Sequence, residues 1–283
     1  MRSTLAALAA VAVIVGASSP AAAGPSYGYP TLGAPPAGAN DWSCRPTARR
    51  PDPAVIVHGT FGDQKSLLDN LSLALKSDGY CVYSLDYGNR GTGRIQRSAR
   101  QLRRFVDRVL ASTGATKVEM VGHSQGGMMP RYYLRFLGGA AKAHALVGLA
   151  PSNHGTTLDG LFTLSSYFPG SEAFFAAWCP ACEEQEAGSG FLSTLNAGRE
   201  TVSGVHYTVI ESANDEVVTP YTSAFLSGRN VTNILLQSQC LLDQGEHLSM
   251  AYDHIADADV LNALDPLHPV TPACTPVLPV VGG

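Results

Sequence analysis

The chain has 283 residues, 45% of them hydrophobic and 15% charged, with a net charge of −4. That length is enough for one large α/β domain with a substantial core. The charge is too small and too mixed to provide the basic footprint a nucleic-acid partner needs.

At the start of the chain, Arg2 supplies a short positive region and residues 5–16 an apolar, alanine-rich one. Ala21-Ala22-Ala23 then offers the small-X-small pattern of a signal peptidase site. Residues 1–23 are therefore expected to be an export signal cleaved after Ala23, which would make the protein secreted and extracellular. The apolar run is short for a bilayer span and Pro20 breaks its continuation, so no stable membrane anchor is expected. Residues 24–53, rich in Pro, Gly and Ala, read as an irregular arm.

Residues 54–57 are a continuous apolar strand signal ending in His58-Gly59-Thr60-Phe61-Gly62. A helix is predicted over 67–77, with apolar positions at 67, 68, 71 and 75. Residues 80–85 form a second strand containing Cys81. Over 93–112, Ile95, Ala99, Leu102, Val106 and Val109 recur at helical spacing. The arginines of that helix mostly avoid this stripe and read as a solvated face. Further strands are predicted at 118–121, 143–149, 207–211 and 231–236. Strands alternating with helices predict a mainly parallel sheet covered by helices on both faces, in a domain over 54–265. Between 151 and 205 the alternation lapses into an aromatic-rich insertion, and 266–283 is a proline-rich tail.

Six cysteines in an exported chain suggest three disulfides, for which sequence alone permits fifteen pairings. Cys179-Pro180-Ala181-Cys182 has redox-motif spacing. Its place in the insertion, not at a helix start after a strand, favours a structural clasp.

The third strand ends in Gly122-His123-Ser124-Gln125-Gly126-Gly127 and leads into a helical pattern. A serine hydroxyl is a poor nucleophile unless it is presented beside a base. A sharp strand-to-helix turn does this by lifting the Oγ clear of the sheet. Ser124 is thus the candidate nucleophile. In this architecture the acid and histidine come after the serine in chain order. Asp215, just past the fifth strand, is the candidate acid, preferred over Glu216 and over Glu211 inside the strand. His247, on a glycine-containing loop, is the candidate base, preferred over His254 in a helical pattern. His123 and the remaining histidines read as structural. Oxyanion donors are expected from the backbone N–H of Gln125 and of Thr60, with Phe61 the alternative to Thr60. Phe61, Phe174 and Phe175 are the candidate substrate-binding side chains. The last two belong to an aromatic stretch near Trp178 that would form an apolar trough for an acyl chain.

These residues together resemble the secreted bacterial lipases of the α/β-hydrolase superfamily, especially the actinobacterial class 2 triacylglycerol lipases and esterases. The likeness covers most of 44–265. It includes Ala150-Pro151-Ser152-Asn153-His154-Gly155-Thr156, Ala181-Cys182-Glu183-Glu184-Gln185, Asn214-Asp215-Glu216-Val217-Val218 and Glu246-His247-Leu248. The resemblance implies an α/β-hydrolase fold with an insertion over the active site, and a Ser124–His247–Asp215 triad. It also implies disulfides Cys44–Cys81, Cys179–Cys182 and Cys240–Cys274. It implies no cofactor, and no dense carboxylate cluster points to a catalytic metal. The expected substrate is a lipid or other ester at an oil–water interface, and the expected state a monomer. A short-chain esterase or polyester hydrolase would share the triad. A non-catalytic hydrolase-fold binding protein would be expected to lack one of its members.

Overall fold

The computed structural model describes residues 33–167 and 179–279. The expected export signal therefore lies outside the described residues, as do Phe174, Phe175 and Trp178. Among the described residues six strands form one sheet: β1 (Ala54–Val57), β2 (Val82–Leu85), β3 (Val118–His123), β4 (Ala143–Leu149), β5 (His206–Glu211) and β6 (Val231–Leu235). Their order is β2-β1-β3-β4-β5-β6 and every neighbouring pair is parallel. The unbroken apolar run of β1, and the burial of every residue of β3 although Glu119 interrupts its apolar pattern, fit strands covered on both faces. From β1 the chain steps outward to β2, then returns to β3 and proceeds the other way. The carboxyl ends of β1 and β3 consequently flank a topological switch point, where open α/β sheets bind ligands.

The first helix, Gln64–Ser77, buries Leu67, Leu68, Leu71 and Leu75 as the spacing predicts. It begins earlier than its apolar residues indicate, because the Asp63 carboxylate accepts from the Lys65 and Ser66 N–H groups. The helix Ile95–Thr113 buries the whole predicted stripe and ends at Gly114, whose φ of 75° suits a left-handed cap. Its N-terminus is capped from a distance: the Glu184 carboxylate of the insertion accepts the Ile95 N–H at 2.7 Å.

The described part of the arm is docked, not loose. Ala39 bridges Val82 alongside the edge strand β2, and the Asn40 side chain bonds both the N–H and the carbonyl of Ser84. Arg108 lies 3.8 Å over the Trp42 ring. The disulfide Cys44–Cys81 ties the arm to the sheet, Cys240–Cys274 ties the tail to the body, and Cys179–Cys182 closes the first turn of the short helix Pro180–Gln185. These are the pairings the resemblance implied. The insertion also carries helices Leu158–Ser166 and Gly190–Asn196. Among the described residues no helix is long and apolar enough to cross a membrane.

Candidate active site

β3 runs straight into Ser124, which adopts φ 56° and ψ −125° before the helix Gln125–Phe136 begins. A non-glycine residue held there stores roughly 1–3 kcal/mol of backbone strain. The turn closes because its flanks lack side chains. A Cβ on Gly122 would overlap the Gly126 carbonyl, and one on Gly126 would overlap the carbonyls of Val57 and His58. The β1 loop approaches equally closely, since a Cβ on Gly59 would lie 2.9 Å from that of Ser124.

Asp215 lies just beyond β5, and its Oδ1 accepts the N–H groups of Val217 and Val218, both at 2.7 Å. Its Oδ2 is left to face His247 Nδ1 at 2.8 Å, with both side chains fully buried. The other ring nitrogen, His247 Nε2, is buried and has no hydrogen-bond partner among the described residues. The histidine loop is held on two sides. Glu246 accepts from the Leu248 and Ser249 N–H groups, and His123 Nε2 donates to the His247 carbonyl at 2.7 Å. The rings of His123 and His247 lie 4.8 Å apart, so the residue preceding Ser124 packs against the His247 loop.

Burial opposes a charge on either partner of the buried pair, yet their mutual attraction prevails. The Asp215 carboxylate and its hydrogen bond raise His247 above the usual histidine value. The His247 charge and the Val218 N–H lower Asp215 below the usual carboxylate value. His123 is pushed down to about 3 by burial and by the neighbouring His247, which leaves it a neutral donor.

In the β1 loop, the Phe61 N–H donates to the Arg90 carbonyl at 2.7 Å and its ring is buried. The Thr60 and Gln125 N–H groups have no such partner among the described residues. The Thr60 hydroxyl accepts from the side-chain amides of Gln125 at 2.7 Å and Gln185 at 2.9 Å. The Gln125 amide also donates to the Gly91 carbonyl.

The family model described as Lipase (class 2) matches residues 51–257. The chain belongs to the class 2 lipase family. Curated relatives of this family member include a triacylglycerol lipase of Pseudarthrobacter phenanthrenivorans, 39% identical over 92 residues, which cover 28% of this chain and 27% of that one. A triacylglycerol lipase of Burkholderia plantarii matches at 39% over 92 residues, 28% of this chain and 24% of the relative. The chain thus spans about a quarter of those relatives' length. Among solved structures, lipase B of Aspergillus fumigatus is similar with a TM-score of 0.67 at 20% identity, over 87% of this chain and 60% of that one. The mature lipase BlEst2 of Bacillus licheniformis gives 0.57 at 16%, over 82% and 96%. At such identities the likeness is one of fold, the α/β-hydrolase fold.

Three features of this site are not legible in the sequence. Gln185 lies far along the chain from the Thr60 hydroxyl it holds; its one signal is membership of the Ala181–Gln185 stretch, whose role no local pattern reveals. His123, by sequence a structural histidine like the others, anchors the His247 loop. Glu211, the last residue of β5, is by sequence only a rival acid. It is fully buried, its Oε1 accepts the Ser212 N–H at 2.9 Å, and burial followed by the Asp215 charge pushes its carboxyl well up. Its carboxyl is thereby disfavoured as a second charge beside Asp215. The rival His254 is exposed at the start of helix His254–Leu264 and bonds the Ala273 carbonyl. Glu216 is engaged by the Tyr167 hydroxyl at 2.7 Å.

Proposed function

We propose that this class 2 lipase is a secreted serine carboxylic-ester hydrolase, a triacylglycerol lipase of the actinobacterial type its motifs resemble. It would act through an acyl-enzyme on Ser124. In this reading His247 Nε2 takes the Ser124 proton as the Oγ attacks the acyl carbon, then gives it to the departing alcohol. Water, activated by the same nitrogen, releases the acid. Asp215 stays ionised, fixing the tautomer and stabilising the imidazolium. The Thr60 and Gln125 N–H groups receive the oxyanion, each donor being worth about 3 kcal/mol of barrier. The observation that carries the reading is the pairing of a strained Ser124 elbow with a buried His247–Asp215 couple whose Nε2 remains unengaged. Secretion is supported by the leader-like residues 1–23 and by three disulfides, which persist in oxidising compartments. We take the working form to be a monomer acting on a lipid surface.

The test is turnover of nitrophenyl esters of increasing acyl length together with an emulsified triglyceride. The reading expects rates that climb with chain length, each buried methylene contributing about 0.8 kcal/mol until the binding trough is filled. A preference for acetate with no triglyceride hydrolysis would replace the lipase by a short-chain esterase.

A further inference from the structure

Two ionisable groups sit where this sheet should be apolar. β4 is buried along its length except at His144, and β3, beside it in the centre of the sheet, carries Glu119 at 4% exposure. Charges placed there are costly unless they are partnered. The strand register explains how they meet. Val118 pairs with Ala143 and Glu119 with Ala145, so His144 is an extra residue in β4. Such a bulge re-aims a side chain. Here it turns the His144 ring onto Glu119, with Nδ1 2.8 Å from Oε1. The Glu119 N–H donates to the Pro53 carbonyl at 3.0 Å, which brings in Asp52, its Oδ2 3.6 Å from the same Nδ1.

We propose that Asp52, Glu119 and His144 form a binding site for a transition-metal cation of the Zn²⁺ class, at the end of the sheet opposite Ser124. One donor atom from each residue falls within 4.8 Å of the other two. Donors held about 2.0–2.2 Å from a tetrahedral cation stand roughly 3.3–3.5 Å apart, a spacing that the observed 2.8 and 3.6 Å bracket. Glu119 Oε2 is buried and has no hydrogen-bond partner among the described residues, so the carboxylate has unused ligand capacity. One imidazole with two carboxylates suits Zn²⁺ and its neighbours, whereas Ca²⁺ and Mg²⁺ favour all-oxygen sets. The site is reachable: His144 is half exposed and, with Glu119, lines a cavity of about 430 Å³ that can admit a water as fourth ligand.

Glu119 lies five residues before Ser124, about 16 Å at roughly 3.3 Å per residue, so the cation would take no part in the acyl chemistry. Its effect is to pin the entry to β1 and the first turns of β3 and β4 to one another. The His206 ring packs edge-on to His144 from β5, and Asp259 and Arg229 face the same cavity. Proton and metal compete for Nδ1, so affinity should grow as pH rises from about 6 to about 8.

The test is isothermal titration of the full chain, stripped with chelator, using ZnCl₂ and CaCl₂ at both pH values. The proposal expects one Zn²⁺ per chain, tighter binding at the higher pH and no heat from Ca²⁺. At saturation near a hundredfold Kd the melting temperature should rise by about 5–10 °C. His144→Ala and Asp52→Asn should each weaken binding by about tenfold or more while ester hydrolysis stays unchanged. If His144→Ala does not fold, His144→Gln serves in its place. Absence of Zn²⁺ binding, or equal binding by the variants, overturns the site and leaves the cluster a His144 ion pair. Neither result bears on the Ser124 chemistry.

Discussion

Replacing Asp215 by Asn keeps the shape of the site and inverts its chemistry. The carbonyl of the new amide would still accept from Val217 and Val218, while its NH₂ would meet His247 Nδ1, where the carboxylate stands 2.8 Å away in the wild type. Nδ1 must then accept, which moves the proton to Nε2, the nitrogen required to take one from Ser124. The wrong tautomer should lower kcat by about 10⁴, or roughly 5 kcal/mol. Stability should fall less, by about 1–2 kcal/mol, because a charge-assisted bond becomes a neutral one. The pH profile moves as well. In the wild type His247 is raised above 6.5, and activity is lost as pH falls through that higher value and the base protonates. Without the Asp215 charge burial gains weight against the charged form, so the acid limb of the residual activity should shift to lower pH. Nitrophenyl butyrate hydrolysis from about pH 4 to pH 9, with near-ultraviolet circular dichroism as the fold control, reads both effects. A variant within tenfold of wild type, or an acid limb that does not move, would refute the reasoning.

The base assignment predicts that His247→Ala nearly abolishes turnover and His254→Ala is mild; the opposite ranking would transfer the role to His254. The Cys44–Cys81 disulfide closes a loop of 37 residues, so replacing both cysteines by alanine should remove about 4 kcal/mol in denaturant titrations, and an unchanged midpoint would count against the constraint. Asp257 is raised from 3.8 to about 7, first by burial and then by the Asp253 charge. Because its folded value is raised, its stabilising contribution is complete below about pH 4 and is lost as pH rises through about 7. Asp257→Asn should therefore stabilise the protein on the order of 2 kcal/mol at pH 8, discounted for solvent relaxation, and hardly at pH 4; equal melting shifts at both would contradict the assignment.

The features legible in the sequence are those written locally. The apolar runs of β1 and β3 and the stripe of Ile95–Thr113 mark their elements almost to the residue, because a sheet covered on both faces and an amphipathic helix each leave a short-period pattern. The elbow is legible because steric closure of a strand-to-helix turn demands glycine at 122 and 126. The start of the first helix is misplaced by sequence because Asp63 caps it through side-chain bonds that no hydrophobic period records. Contacts between distant segments are not written locally at all. Examples are Asn40 on the edge of β2, Glu184 at the Ile95 N–H, Gln185 on Thr60 and His123 under the His247 loop. Each is an ordinary polar residue whose role appears only once the sheet has brought remote segments together. Phe61 illustrates the same limit, since only the positive φ and the bond to Arg90 separate its N–H from that of Thr60.

The central claim is that Ser124 is the nucleophile, and covalent trapping tests it most directly. The purified protein would be treated with diethyl nitrophenyl phosphate, digested and mapped by peptide mass spectrometry. The account predicts one diethylphosphoryl group per chain, on Ser124, appearing in step with loss of esterase activity and absent from the Asp215→Asn and His247→Ala variants over the same interval. Inactivation with Ser124 unmodified, or with the label on another residue, would contradict it.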